Sequence, residues 1–144
     1  MIRRSMTEWK GDGPTGSGSL STESGVLRGQ PYSFKTRFQS ADGKAGTNPE
    51  ELLGAAHATC FAMTVAFVLT DAGHAPKQLK VTAAVDISKV GEGFAITSIA
   101  LDLEARVEGL GVEQFQALAE AAKKNCPVSK ALSATPLSLT ARLA

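Results

Sequence analysis

The stretch GTNPEELLGAAHATCFAMTVAFVLTDAGHAP, beginning at Gly46 and ending at Pro76, constrains the fold more than any other part of the chain. Asn48 is a good helix N-cap, Pro49 suits the first helical position, and Glu51 completes an Asn-x-x-Glu variant of the capping box. Glu50 and Glu51 also favour the positive end of the helix. The helix is expected to run to about Thr70, where DAGHAP stops it. Its apolar run, near residues 55–69, is interrupted by His57, Thr59 and Thr64, which is short for a membrane span and fits a buried core helix. Gly54, Ala55, Ala56, Ala58, Ala62 and Ala66 are small enough for another element to approach closely. A helix apolar on most of its circumference is buried on more than one side. One sheet in a domain this size covers only one side, which points to a partner subunit.

The rest of the chain reads as strands, turns and one further long helix. Residues 5–11 alternate weakly, and DGPTGSGS at 12–19 is turn chemistry. LSTES at 20–24 and YSFKTRF at 32–38 read as short strands. In the second, Tyr32, Phe34, Thr36 and Phe38 share one face, and Ser33, Lys35 and Arg37 the other. Residues 79–88 and 93–107 alternate cleanly and form a hairpin around KVGEG. Residues 111–125 form an amphipathic helix with Phe115, Leu118, Ala119 and Ala122 on one face, and 137–143 is a last strand. The order is that of a single α+β domain, 1–144, with a mostly antiparallel sheet packed on a long central helix.

Composition excludes some partners. The formal net charge of +1 over 144 residues, with scattered basic residues, gives no reason to expect nucleic acid or an anionic membrane. The opening MIRRSMTEWKGDG has no apolar h-region, so a cytoplasmic location is expected. GDGPTGSG lacks the Lys-Ser/Thr ending and the strand–helix setting of a phosphate loop.

The candidate chemistry rests on two cysteines. They form no disulfide scaffold, there is no CxxC, and His57 and His74 are not spaced with them as metal ligands. Cys126 precedes Pro127 and becomes the N-cap of a short helix over 127–132. There it faces free N–H groups, with Lys123 and Lys124 upstream, conditions that lower a thiol pKa. Cys60 lies about three turns inside its helix, where the dipole does little. It reads either as core filling or as a reactive thiol, and to ionise at neutral pH it needs a cation from elsewhere. Arg37 is a candidate, held by a carboxylate such as Glu50 or Glu51. Glu50 and Cys60 are roughly 15 Å apart along a continuous helix. Either the helix breaks near Gly54, or Arg37 spans the gap, or Glu50 comes from another chain. His57, one turn before Cys60, reads as a structural histidine.

GTNPEELLGAAHATCFAM, followed some sixty residues later by NCPVSKAL, resembles the osmotically inducible protein C (OsmC) and organic hydroperoxide resistance family. WKGDG, GSLSTESGVL, PYSFKTRF and GFAITSIAL are similar to the OsmC branch in order and spacing. The resemblance implies a thiol-dependent peroxidase without metal or flavin. Cys60 would be the peroxidatic thiol, oxidised to a sulfenic acid, and Cys126 would resolve it to an intramolecular disulfide. Arg37 would stabilise the thiolate and orient the peroxide, and Glu50 would pair with Arg37. The family fold is an intertwined homodimer with active sites at the interface. A dithiol serves as reductant, of the lipoyl type in the organic hydroperoxide resistance branch. Apolar Ala56, Met63 and Phe61 near Cys60 favour organic hydroperoxides over hydrogen peroxide, and the branch name implies a response to oxidative and osmotic stress. The competing readings are a non-catalytic stress protein and a redox sensor that uses the same cysteine pair.

Overall fold

The first fifty residues contain too few large apolar side chains for a deep core, and they build a thin meander. In the computed structural model, which describes residues 1–144, the chain divides into two compact units, Met1–Leu52 and Leu53–Ala144. In the first, β1 (Ser5–Lys10), β2 (Ser17–Thr22) and β3 (Gln30–Ser33) pair antiparallel in that order. Trp9 and Tyr32 stack across the meander, 5.5 Å between ring centroids. The turn after β1 is fixed by Asp12, whose carboxylate accepts the Thr15 N–H at 2.7 Å and the Thr15 hydroxyl at 2.9 Å.

The strand expected over residues 32–38 ends at Ser33, and the chain turns into a short helix, α1 (Phe34–Phe38). A capping box decides this. The Ser33 hydroxyl accepts the Thr36 N–H at 3.1 Å, and the Thr36 hydroxyl accepts the Ser33 N–H at 2.8 Å. Phe34 and Phe38, one turn apart, then stack at 5.0 Å. Arg37 therefore sits in the last turn of a helix, not on a strand.

The long helix is α2 (Pro49–Asp71). Asn48 caps it as expected, its side-chain oxygen accepting the Glu51 N–H at 2.8 Å. The reciprocal half of the box is absent, because the Glu51 carboxylate takes the Thr47 hydroxyl at 3.0 Å. The helix continues unbroken through Gly54, which removes the first of the three arrangements considered for Glu50 and Cys60. It ends in a Schellman motif, with Gly73 at φ 85° and the His74 N–H on the Leu69 carbonyl at 2.9 Å.

The second unit adds β4 (Gln78–Val90), β5 (Gly93–Arg106), α3 (Val112–Asn125), α4 (Pro127–Ala131) and β6 (Leu137–Leu143). β4 and β5 form the expected hairpin, and β6 pairs parallel to β5 on its other edge, with α3 and α4 in the crossover. The molecule is thus α+β with two three-stranded sheets rather than one. Alternation on β5 buries Ile99, Leu101, Leu103 and Ala105. The last three pack with Phe61, Val65 and Leu69 of α2 and with Phe115, Ala119 and Ala122 of α3. Gly54 belongs to the same packing: a Cβ there would lie 3.2 Å from the Ala83 carbonyl of β4.

α2 is buried along one stripe only, at Glu50, Gly54, His57, Phe61, Val65 and Leu69. Ala55, Ala56, Thr59, Met63 and Phe67 are exposed on its other face, Met63 at 57% and Phe67 at 65%. By length and composition alone α2 is long and apolar enough to cross a membrane, contrary to the expectation from its interrupted run, while its Phe61, Val65 and Leu69 serve as core.

Candidate active site

Pro127 cannot extend α3 but can begin a helix, so the chain turns sharply at Cys126, which closes α3 and caps α4 in one extended residue (φ −60°, ψ 122°). That turn carries Cys126 into the core, where it is wholly buried, and brings it against half-buried Cys60 at the middle of α2. Both are free thiols, and each acts on the other's ionisation. The structure therefore brings together the two cysteines that the sequence singled out.

Their environments push them in opposite directions. Burial pushes the Cys60 thiol up. The Val128 N–H opposes this, and the neighbouring Cys126 adds to it. Burial also opposes the charged form of Cys126, but the N–H and hydroxyl of Ser129, the Cys60 thiol and the Val128 N–H outweigh it and bring Cys126 below its ordinary value. The Cys126 sulfur makes no capping hydrogen bond of full geometry, so these are close donors that strengthen as charge forms on sulfur. Lys123 and Lys124, expected to assist, are not among the causes. Lys123 is engaged by Glu120 at 2.9 Å.

Ser129 has a second neighbour that the sequence did not connect to it. Its hydroxyl lies 2.8 Å from His57 Nε2, and both residues are buried, His57 completely. His57 Nδ1 is also buried and has no hydrogen-bond partner in the chain. Burial lowers the His57 pKa, which favours the neutral ring. The signal for Ser129 was present in CPVS: with Cys126 as N-cap, Ser129 is N3, the position that faces back on a cap.

In the first unit, Arg37 and Glu50 meet as expected. Arg37 Nη2 lies 2.5 Å from one carboxylate oxygen of Glu50 and Nε 3.2 Å from the other, a two-point fork. Glu50 is buried, and the Arg37 side chain keeps 35% of its surface open. The Phe38 ring lies 4.8 Å beneath the guanidinium. The arginine is thus immobilised with part of its charged face free. Glu51, the alternative carboxylate, is taken up by Thr47.

Phe61, expected to line the Cys60 thiol, is sunk in the core, while Ala56 and Met63 lie on the open face of α2. A surface depression of about 600 Å³ runs past Lys123, Lys124, Ser129 and Lys130 but includes neither cysteine. No three His, Cys, Asp or Glu side chains gather in a way that could hold a metal ion.

The chain is similar to known proteins over most of its length. The family model described as OsmC-like protein matches residues 41–141. The chain is 48% identical over 132 residues to Peroxiredoxin OsmC of Escherichia coli (strain K12), covering 92% of this chain and 90% of that protein. It is 32% identical over 90 residues to the organic hydroperoxide resistance protein of Xanthomonas axonopodis pv. citri, covering 62% of this chain and 61% of that one. Among solved structures, the organic hydroperoxide resistance protein OhrB of Bacillus subtilis superposes with a TM-score of 0.69 at 25% identity, covering 98% of each chain.

Proposed function

The chain belongs to the OsmC-like family and is a peroxidase, and from that premise we propose that Cys60 and Cys126 carry out a two-step reduction of hydroperoxides. One observation carries the reading: two free thiols, distant in sequence, face one another at the mouth of a short helix. Cys60 is the more accessible and is assigned the attack. Its thiolate takes the terminal peroxide oxygen, the O–O bond breaks, and an alcohol or water leaves as Cys60 becomes a sulfenic acid. Cys126 then attacks the Cys60 sulfur to form a disulfide, and a dithiol reductant restores both thiols.

This assignment needs a cation at Cys60. Within Leu53–Ala144 the thiol is pushed up, and no positive side chain of that unit offsets the shift. The reading gives that task to Arg37, whose charge does not titrate and whose geometry is fixed by Glu50. The active form is proposed to be a homodimer, supported by the apolar face that α2 leaves exposed. The open, apolar neighbours Ala56 and Met63 support a preference for organic hydroperoxides over hydrogen peroxide.

Peroxide consumption with a dithiol reductant tests this. Cys60→Ser abolishes turnover, and Cys126→Ser permits the first oxidation but lets Cys60 gain further oxygens, read by intact mass. Full activity in Cys60→Ser would transfer the cysteine pair to a sensing or structural role. Faster turnover of hydrogen peroxide than of cumene hydroperoxide would reject the substrate preference.

A further inference from the structure

We propose, building on the two-step peroxidase reading, that the buried hydrogen-bonded pair His57 and Ser129 sets the hydroxyl at N3 of α4 to serve the N-cap Cys126 in the disulfide-forming step. Both are then positioning residues for resolution.

The direction of the chain follows from counting donors. Burial favours the neutral ring, and its Nδ1 has no partner in the chain. A buried N–H without an acceptor is rarer and more costly than an unused lone pair, so the proton belongs on Nε2. His57 Nε2–H then donates to the Ser129 hydroxyl oxygen at 2.8 Å. With its oxygen accepting from the imidazole, Ser129 has its own proton to give. It is N3 of α4, one turn from the N-cap Cys126, the position that faces back on a cap; it makes no full hydrogen bond to the resting thiol, and its hydroxyl and N–H favour the charged sulfur. The proposed order, completed as charge forms on sulfur, is His57 N–H to Ser129 O–H to the Cys126 thiolate. A donor aimed at sulfur favours the thiolate over the thiol.

The other groups around Cys126 do not supply this. Cys60 faces it from α2 as a thiol, Val128 contributes its N–H from α4, and on α3 Lys123 is paired with Glu120. Lys124 and Lys130 line the outer depression with Ser129 and do not act on the buried sulfur. Ser129 is the one side-chain hydroxyl at the site, and His57 is what fixes its direction.

The chemistry served is the second step. The Cys126 thiolate attacks the Cys60 sulfur, the S–O bond of the sulfenic acid breaks, and hydroxide leaves. That hydroxide takes up the proton Cys126 gave up earlier and becomes water, so no outside oxidant is needed. A resolving thiol left protonated leaves the sulfenic acid exposed to a second peroxide.

The test separates this chain from the peroxidase reading. In a Cys60→Ser background, Cys126 is titrated by its ultraviolet thiolate absorbance, which requires no turnover. Ser129→Ala raises the Cys126 pKa by about one unit, the equivalent of one charge-assisted hydrogen bond. His57→Leu does the same, whereas His57→Gln, which keeps an N–H within reach, stays near the parent. An unchanged midpoint in Ser129→Ala overturns the proposal, and if that variant does not fold, the contrast between His57→Leu and His57→Gln decides it. With both cysteines present, single-turnover kinetics of Ser129→Ala show disulfide forming about tenfold more slowly, while sulfenic acid forms no more slowly than in the parent. Equal slowing of both steps, or of neither, also overturns it. Absence of any peroxide reduction in the parent strikes the peroxidase reading and leaves the titration to judge the chain.

Discussion

Cys60 and Cys126 share one environment and are pushed in opposite directions by it, because the fixed donors of α4 favour Cys126. An efficient attack by Cys60 needs charge from a group outside that set. Arg37→Ala is expected to slow sulfenic acid formation by about tenfold or more, the loss of a charge-assisted contact, and to move the pH midpoint of Cys60 alkylation upward. Arg37→Lys recovers only part, since an ammonium is a point charge and cannot hold both oxygens of Glu50. An alkylation profile identical to the parent's would remove Arg37 from the site. Of the four residues named from sequence, Glu50 and Cys126 were marked by helix termini, while the roles of Cys60 and Arg37 came from the family resemblance. Ser129 and His57 were not connected, because they lie 72 residues apart and nothing local to either one points to the other.

At the scale of elements, helix ends were legible and one short helix was not. Asn48, Pro49 and the Gly73 stop bound α2 through side-chain and backbone hydrogen bonds that the sequence spells out. Residues 32–38 misled because Phe34, Thr36 and Phe38 satisfy a period of two, while Phe34 and Phe38 are equally one helical turn apart. Five residues cannot separate these periods; the Ser33–Thr36 box does. The parallel seating of β6 was also hidden, since alternation reports which face of a strand is buried but not the direction of its neighbour. Gly54 gives this scale its test. Its missing side chain lets α2 approach the Ala83 carbonyl, so Gly54→Leu is expected to cost about 1–3 kcal/mol in urea unfolding, the usual penalty of overpacking. A neutral result would show that α2 does not depend on that approach.

For the whole molecule, the decisive feature is the face of α2 that the chain leaves open. Met63 and Phe67 stand out on it, beside Ala55 and Ala56. Scattered apolar residues are ordinary on a surface, but a stripe on the most apolar helix of the chain is not. Under the proposed dimer, Met63→Glu with Phe67→Glu yields a monomer by sedimentation velocity, with peroxidase activity falling along with association. A parent that sediments as a monomer would refute the dimer outright.

The crossover between β5 and β6 has a consequence for how the protein is born. Cys60 leaves the ribosome well before Cys126, and Cys126 sits in the connection between β5 and Leu137–Leu143, the strand that completes the sheet. Such pairing between distant segments is slow and comes late, after the N-terminal elements have been made. During that interval Cys60 is a thiol without its partner. Oxidant met by the nascent chain would strike it with no second sulfur to close the ring, so supply of new, intact enzyme under peroxide depends on how fast the last strand docks.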